Sequence, residues 1–312
     1  EGRKEAESRK KDDDDILLSQ VPAAFGFGIR GEKIIAYPQS GGEYHPELLE
    51  QILPLLLEKA KAYDCKIRAH GNSPENVRSN ASNIVEAIES WAETPKPGVL
   101  LMRLRSLEAD ISAYDTLAGR DELYPHAIAA MLDLKSSIDD FLGMDPFVQK
   151  IQANAMALEI QGKNASKINL WLVKIEKIAS ESVFVDSSVE QALAEGKTSV
   201  EADEQIVRSS NDHKKTSEAI ERQANQTALR VMTTRNFVAR IIRSIQDGIV
   251  GGTEAGVKGA VSGGIRTGFA VLVGSIAGPF AGVAMFVASV RPIAEKASEI
   301  SKLETDDADE TE

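Results

Sequence analysis

The sequence predicts a mainly α fold: a helical bundle with a small N-terminal β-hairpin element, a long helix and a C-terminal glycine-rich hydrophobic helical hairpin. Three observations lead there. Aromatic residues make up only 5% of the 312, while Ala, Leu, Ile, Glu and Lys recur at helical spacing. Only one early stretch, FGFGIRGEKIIAYP (residues 25–38), reads as strand. Beyond residue 247, glycine returns every fourth position in an increasingly apolar sequence.

The first fifteen residues, EGRKEAESRKKDDDD, are a charge run that cannot bury itself and read as a disordered lead-in. The chain begins at Glu1 without a Met, so its natural start is expected to lie upstream. FGFGI and EKIIAY follow as two strands joined through Arg30-Gly31, ended by Pro38 and Gly41-Gly42.

Helices come next. His45-Pro46-Glu47 places a proline and an acid in a first helical turn, and the Leu-rich helix runs to about Tyr63 with Pro54 as a kink point. KIRAH (66–70) has the length of a third strand. Ser73-Pro74-Glu75 reads as the cap of a helix whose apolar positions Val77, Ala81, Ile84, Ile88 and Trp91 step by four and three. The same period recurs at Leu100, Leu104, Leu107 and Ile111, and again at Ile128, Met131, Leu134, Ile138 and Phe141. Asp145-Pro146 opens a further helix, and residues 167–180 carry another. Stripes of this kind joined by short loops predict a bundle over residues 16–200, read as a regulatory or docking domain. From about Ser199 to Ile249 one long polar helix is expected, with 201–247 as a long basic connecting helix.

Charge divides the chain. The formal net charge is −12, which argues against nucleic acid as a partner. Yet between Arg222 and Arg266 seven basic residues face two acidic ones, before an acidic tail within 292–312. A lone Cys65 excludes an internal disulfide, and a mean hydropathy of −0.21 excludes a many-spanning membrane protein.

Gly26-x-Gly28-x-x-Gly31 has the spacing of a nucleotide-binding loop. A dinucleotide site, however, needs a helix starting on the glycines to hold the pyrophosphate, and here a strand follows. A kinase-type loop would need a strand Ala-x-Lys, a His-Arg-Asp loop and an Asp-Phe-Gly, none of which the sequence contains. Gly196-Lys197-Thr198 lacks the first glycine of a phosphate loop, since position 191 is Gln191, and reads as a helix-ending glycine. His45, His70, His126 and His213 are scattered, without an i, i+4 pair. No catalytic residue, cofactor or metal ligand is predicted, and the chain is read as a non-enzyme.

The C-terminal third points to a membrane. Arg266 and Arg291 bracket 24 uncharged residues, TGFAVLVGSIAGPFAGVAMFVASV, enough for a helix to cross ~30 Å of hydrocarbon. Gly248, Gly252, Gly256, Gly264 and Gly268 lie at multiples of four, and Gly274, Gly278 and Gly282 repeat the period. Small residues so spaced line one helix face, where a second backbone can approach closely in lipid. Arg230, Arg235, Arg240 and Arg243 precede them and suit an anionic lipid surface, each favourable charge contributing about 1 kcal/mol.

The expected function is a membrane-active helical effector, cytoplasmic and membrane-associated. It would insert residues 248–291 as a glycine-zipper hairpin, form homo-oligomers and permeabilise the bilayer in the manner of a pore-forming toxin. The alternative is a non-enzymatic scaffold or adaptor anchored by that segment, with a protein partner on residues 16–200. A nucleotide-dependent enzyme ranks third. Calorimetry with ATP and NAD is expected to show no saturable binding at micromolar concentration. Stoichiometric binding that disappears in Gly28→Val would reverse that reading.

Overall fold

The computed structural model describes residues 20–246, apart from residue 32 and the stretches 42–45, 120–124, 159 and 183–184. The lead-in 1–15, the glycine-rich segment 248–291 and the tail 292–312 lie outside the described residues. What is described is mainly helical, with a two-stranded antiparallel hairpin at its start.

The hairpin pairs β1 (Phe25–Arg30) with β2 (Lys33–Pro38), in register from Phe25 opposite Pro38 to Arg30 opposite Lys33. Gly31 turns the chain at φ +61, a left-handed conformation that costs glycine little. Gly26 serves a different need. A Cβ there would stand 2.8 Å from the Tyr37 ring and 2.7 Å from Gln20 Oε1. The glycine motif is therefore occupied by hairpin packing and turning.

Helix α1 (Pro46–Ala69) buries Leu56, Ala60, Tyr63 and Ile67 at four- and three-residue steps. It runs through Pro54 and absorbs all of KIRAH but His70, so the expected third strand is helix instead. Ile67 continues the apolar stripe of α1, and that burial decides the conformation. Helix α2 (Glu75–Glu89) starts from Pro74, whose side chain has no acceptor to cap it, and the Ser73 hydroxyl donates back to Ile67 O at 2.8 Å. A 3₁₀ turn, Ser90–Ala92, leads to α3 (Pro97–Gly119).

Helix α4 (Pro125–Gly143) precedes α5 (Pro146–Ala157), which Asp145 caps by accepting from Phe147 N at 2.7 Å and Val148 N at 3.4 Å. Helix α6 (Gly162–Ser180), α7 (Ser187–Ala194) and α8 (Lys197–Ser209) then lead to α9 (His213–Gln246). The single helix expected from 199 is thus two. Ser210 is extended, and Asp212 restarts the helix by accepting from Lys214 N at 2.9 Å. In a Ser-Ser-Asn-Asp run, side chains compete for the backbone and favour such a break.

Two apolar clusters form. The larger joins α1 to α5 around Tyr63, Ile84, Trp91, Leu104, Met131 and Phe141, with Trp91 edge-on to Phe141 at a centroid distance of 5.0 Å. The smaller joins the hairpin, α6 and α7 through Phe27, Ile34, Trp171, Leu172, Ile175 and Val189. Helix α9 serves both. Ala228, Leu229 and Met232 enter the first cluster, and Val231, Phe237 and Ile241 the second.

Buried polar groups fix α9 in place. Asn236, fully buried, donates to Val21 O at 2.9 Å and Phe25 O at 3.2 Å, and accepts from Val21 N at 2.9 Å. It holds the strand entry against the helix. Asn236→Ala would strand these backbone groups in a dry site, so a loss of about 3 kcal/mol is expected in urea unfolding. A loss below about 1 kcal/mol would show that the backbone finds other partners.

Candidate functional site

Helices α2 and α3 pack side by side, and each turns a polar stripe toward the same space. On α2 the stripe is Asn76, Ser79, Asn80, Asn83 and Glu86; on α3 it is Arg103, Ser106 and Asp110. The opposite sides of both helices feed the larger core through Val77, Ile84, Leu100 and Leu104. Amphipathicity thus lays two polar faces along one groove.

The groove is closed elsewhere by Phe25 and Pro38 of the hairpin, Lys96, and the α7–α8 junction at Glu195, Gly196 and Ser199. It encloses about 600 Å³, the size of a small-molecule site. Gly196 shapes that wall. It ends α7 in the left-handed region at φ +77 and begins α8 directly, with Ser199 Oγ donating to its carbonyl at 2.8 Å. The glycine in Gly196-Lys197-Thr198 is therefore helix-ending, as expected, although helix rather than a polar turn follows. The hairpin side is held by α7: Asp186 N donates to Ile34 O at 2.9 Å, and Ala36 N to Ser188 Oγ at 3.1 Å.

Asp110 sits at the deep end, 6% exposed. Asn76 Nδ2 donates to one of its oxygens at 3.4 Å and Asn80 Nδ2 to the other at 3.3 Å, both long contacts. No ion pair reaches Asp110 among the described residues. Burial pushes its carboxyl up to about 7, opposed by the Asn80 amide and reinforced by the Asp203 carboxylate. Asp203, behind it on α8, is lifted by burial to about 6 despite Arg222, whose Nε and Nη2 lie 3.1 and 2.7 Å from its Oδ1. Glu195 pairs with Arg103 at 2.8 Å, and burial still raises its carboxyl against that attraction.

Three polar atoms on this wall are buried without a hydrogen-bond partner: Asn80 Oδ1, Glu195 Oε1 and Arg103 Nε. Each is a group that a bound molecule or water can satisfy. Among the described residues, no group of three or more His, Cys, Asp or Glu is arranged to hold a metal.

The arginines predicted to meet lipid are differently placed. Arg230 is 2% exposed and lies inside the bundle, with Nη1 on Asn169 Oδ1 at 2.8 Å and Nη2 paired with Glu176. It is not a surface charge. The sequence run that looked like a basic face coincides with the helix shared by both cores, and burial lowers the Arg230 pKa against the pull of Glu176. Arg235 and Arg240 are half-buried on the same helix, and burial also lowers the Arg235 pKa. Arg243 belongs to α9, but its side chain is outside the described residues. Gly248, Gly252, Gly256, Gly264, Gly268, Gly274, Gly278 and Gly282 also lie outside them. No helix among the described residues is long and apolar enough to cross a membrane.

The groove was missed in the sequence, although it left a signal. Asn is a poor helix former, yet it recurs at 76, 80 and 83. No protein-family model, curated protein or solved structure matches the chain. Fold and site together define a class only: a helical bundle with a polar, ligand-sized groove.

The groove makes stability pH-dependent. Asp110 in the folded state keeps a proton that the unfolded chain releases near its ordinary value of 3.8. Stability contributed by this group is therefore full at low pH and is lost as pH rises from about 4 to about 7, levelling above. Asp110→Asn removes that slope. Its stability relative to the parent should rise by about 2 kcal/mol between pH 5 and pH 8. A constant difference across that range would mean that Asp110 titrates as an exposed carboxylate does.

Proposed function

We propose that this is a non-enzymatic, membrane-directed effector of the cytoplasm, in which a folded helical body carries a membrane-inserting segment at residues 248–291. The observation that carries the reading is the 24-residue uncharged stretch between Arg266 and Arg291, joined to glycines at four-residue intervals. Such a stretch is long enough to span a bilayer, and its small face allows close helix association there.

The body supports this division of labour. Its large apolar residues are gathered into two clusters, and the exposed ones (Tyr37, Leu55, Leu132, Met144, Met156, Leu170, Val173 and Ile220) are spread over six elements and a loop. Helix α9 is committed to those clusters up to Ile241, so its early arginines reach lipid only if the body opens. The membrane-directed part accordingly starts after α9. Lys258 and Arg266 in that part, with Arg243 at the end of α9 and the half-buried Arg235 and Arg240, are the charges left to meet anionic headgroups. Self-association through Gly256, Gly264 and Gly278 then produces a permeable assembly.

Vesicles of mixed neutral and anionic lipid, loaded with dye, test this with the full chain. Binding that weakens with salt, together with dye release, is expected. In Gly256→Leu, Gly264→Leu or Gly278→Leu, vesicle binding should persist because the change adds helix propensity and apolar area, while crosslinked oligomers and leakage fall. Binding without leakage in the parent would instead favour an anchored scaffold. A parent chain that neither binds nor leaks vesicles would end the membrane reading.

A further inference from the structure

The groove between α2 and α3 holds buried acceptors that its own donors, Lys96 and Arg103 among them, leave unpaired. Asn80 is 5% exposed, yet its Oδ1 has no hydrogen-bond partner, and its amide nitrogen is spent on Asp110. Asp110 has only two long amide contacts and no ion pair among the described residues. One oxygen of Glu195 is bound by Arg103, and the other is buried without a partner. Glu86 stands further along the same side of α2. Carboxylates therefore recur along the groove: Asp110 at its deep end, Glu195 on its wall and Glu86 toward its other end. From Asn76 to Glu86 the α2 stripe is about 15 Å long, at 1.5 Å of rise per residue.

A buried carboxylate without a cation is costly, and its remedies are a proton or a bound donor. An ammonium has three donors and a full charge. A neutral polyol supplies donors but leaves the charge uncompensated. An anion would meet Asp110 and Glu86, with Arg103 already engaged by Glu195 and Lys96 the one other cation among the described lining residues.

We propose that this groove is a binding site for a small linear polyamine, with one ammonium between Asp110 and Asn80 Oδ1 and a second ammonium further along toward Glu195 and Glu86. The site is separate from the membrane-directed segment and does not depend on that reading. Binding competes with protonation of Asp110. Tyr63 from α1 and Asp203 from α8 are the titratable groups coupled to Asp110, and the Asp203 carboxylate adds to the attraction for a cation, while Lys96 and the Arg103 paired with Glu195 oppose it from the groove wall. Arg222 offsets Asp203 on its far side.

Titration calorimetry of the full chain with spermidine and putrescine, at physiological salt and pH 8, tests the site. One equivalent of spermidine is expected to bind, with proton release detectable near pH 7 and affinity about tenfold weaker at pH 6 than at pH 8. Asp110→Asn should weaken it at least tenfold while circular dichroism stays helical. Glu86→Gln, on an exposed position, should weaken spermidine more than the shorter putrescine. Glutamate, glycerol and magnesium chloride should not compete. The acidic ends of the chain also attract amines, and binding of that origin would survive unchanged in folded Asp110→Asn, which would overturn the proposal. No spermidine binding at millimolar concentration, or displacement by magnesium, glycerol or glutamate, would overturn it equally.

Discussion

Burial of α9 between two apolar clusters is the constraint on which the remainder of the body rests. One side of the helix supplies Ala228, Leu229 and Met232 to the α1–α5 cluster, and another supplies Val231, Phe237 and Ile241 to the hairpin–α6–α7 cluster. Such a helix has little surface left for water, yet it carries Gln226, Thr227, Arg230, Thr234 and Asn236, all buried. Polar groups in a dry interior are costly without partners; Thr227, Arg230 and Asn236 find theirs on distant segments, Thr234 bonds Arg230 O within the helix, and the Gln226 amide has none. Asn169 bonds Thr227 and Arg230, Glu176 pairs with Arg230, and residues 21 and 25 bond Asn236. Sliding α9 by one turn would break all of these contacts together. Apolar burial supplies the bulk of the stabilisation, and the polar contacts select one register.

The groove follows from that arrangement. With α9 seated, α8 is drawn against α3, and Arg222 of α9 reaches Asp203 of α8. The left-handed Gly196 then places the α7–α8 junction over the polar stripes of α2 and α3. The Phe27 ring packs tilted against Phe237 at a centroid distance of 5.3 Å, so the hairpin that closes the other wall is also referred to α9. A feature that looks local to two helices is built on a helix more than a hundred residues away in sequence.

This also reframes the charge asymmetry. Arg222 and Arg230 do not belong to a solvent-facing basic surface. Arg222 and Arg230 neutralise the acids Asp203 and Glu176 inside the body. A buried guanidinium is retained only when a carboxylate compensates it, and removing one partner leaves an uncompensated charge. Their placement is structural.

Local chemistry made much of this fold legible in the sequence. Helical periodicity marked the buried faces of α2 to α4, because one apolar stripe per helix suffices to define an inward side. Asp145 before Pro146 announced a cap, and Gly31 with strand-like neighbours announced a hairpin turn, since both depend on backbone geometry within a few residues. Three features did not follow from local pattern. KIRAH has strand-like length but continues the stripe of α1 through Ile67. Arg230 has the composition of a surface residue and the partners of a core one. Asp110, Asn80 and Glu195 form a groove only because α2, α3 and the α7–α8 junction converge. Sequence by itself determined which residues want to be helical, capped or buried, for those preferences act over one or two turns. Tertiary structure alone decided which polar residues meet, because pairing across 30 to 215 positions is set by how whole helices pack.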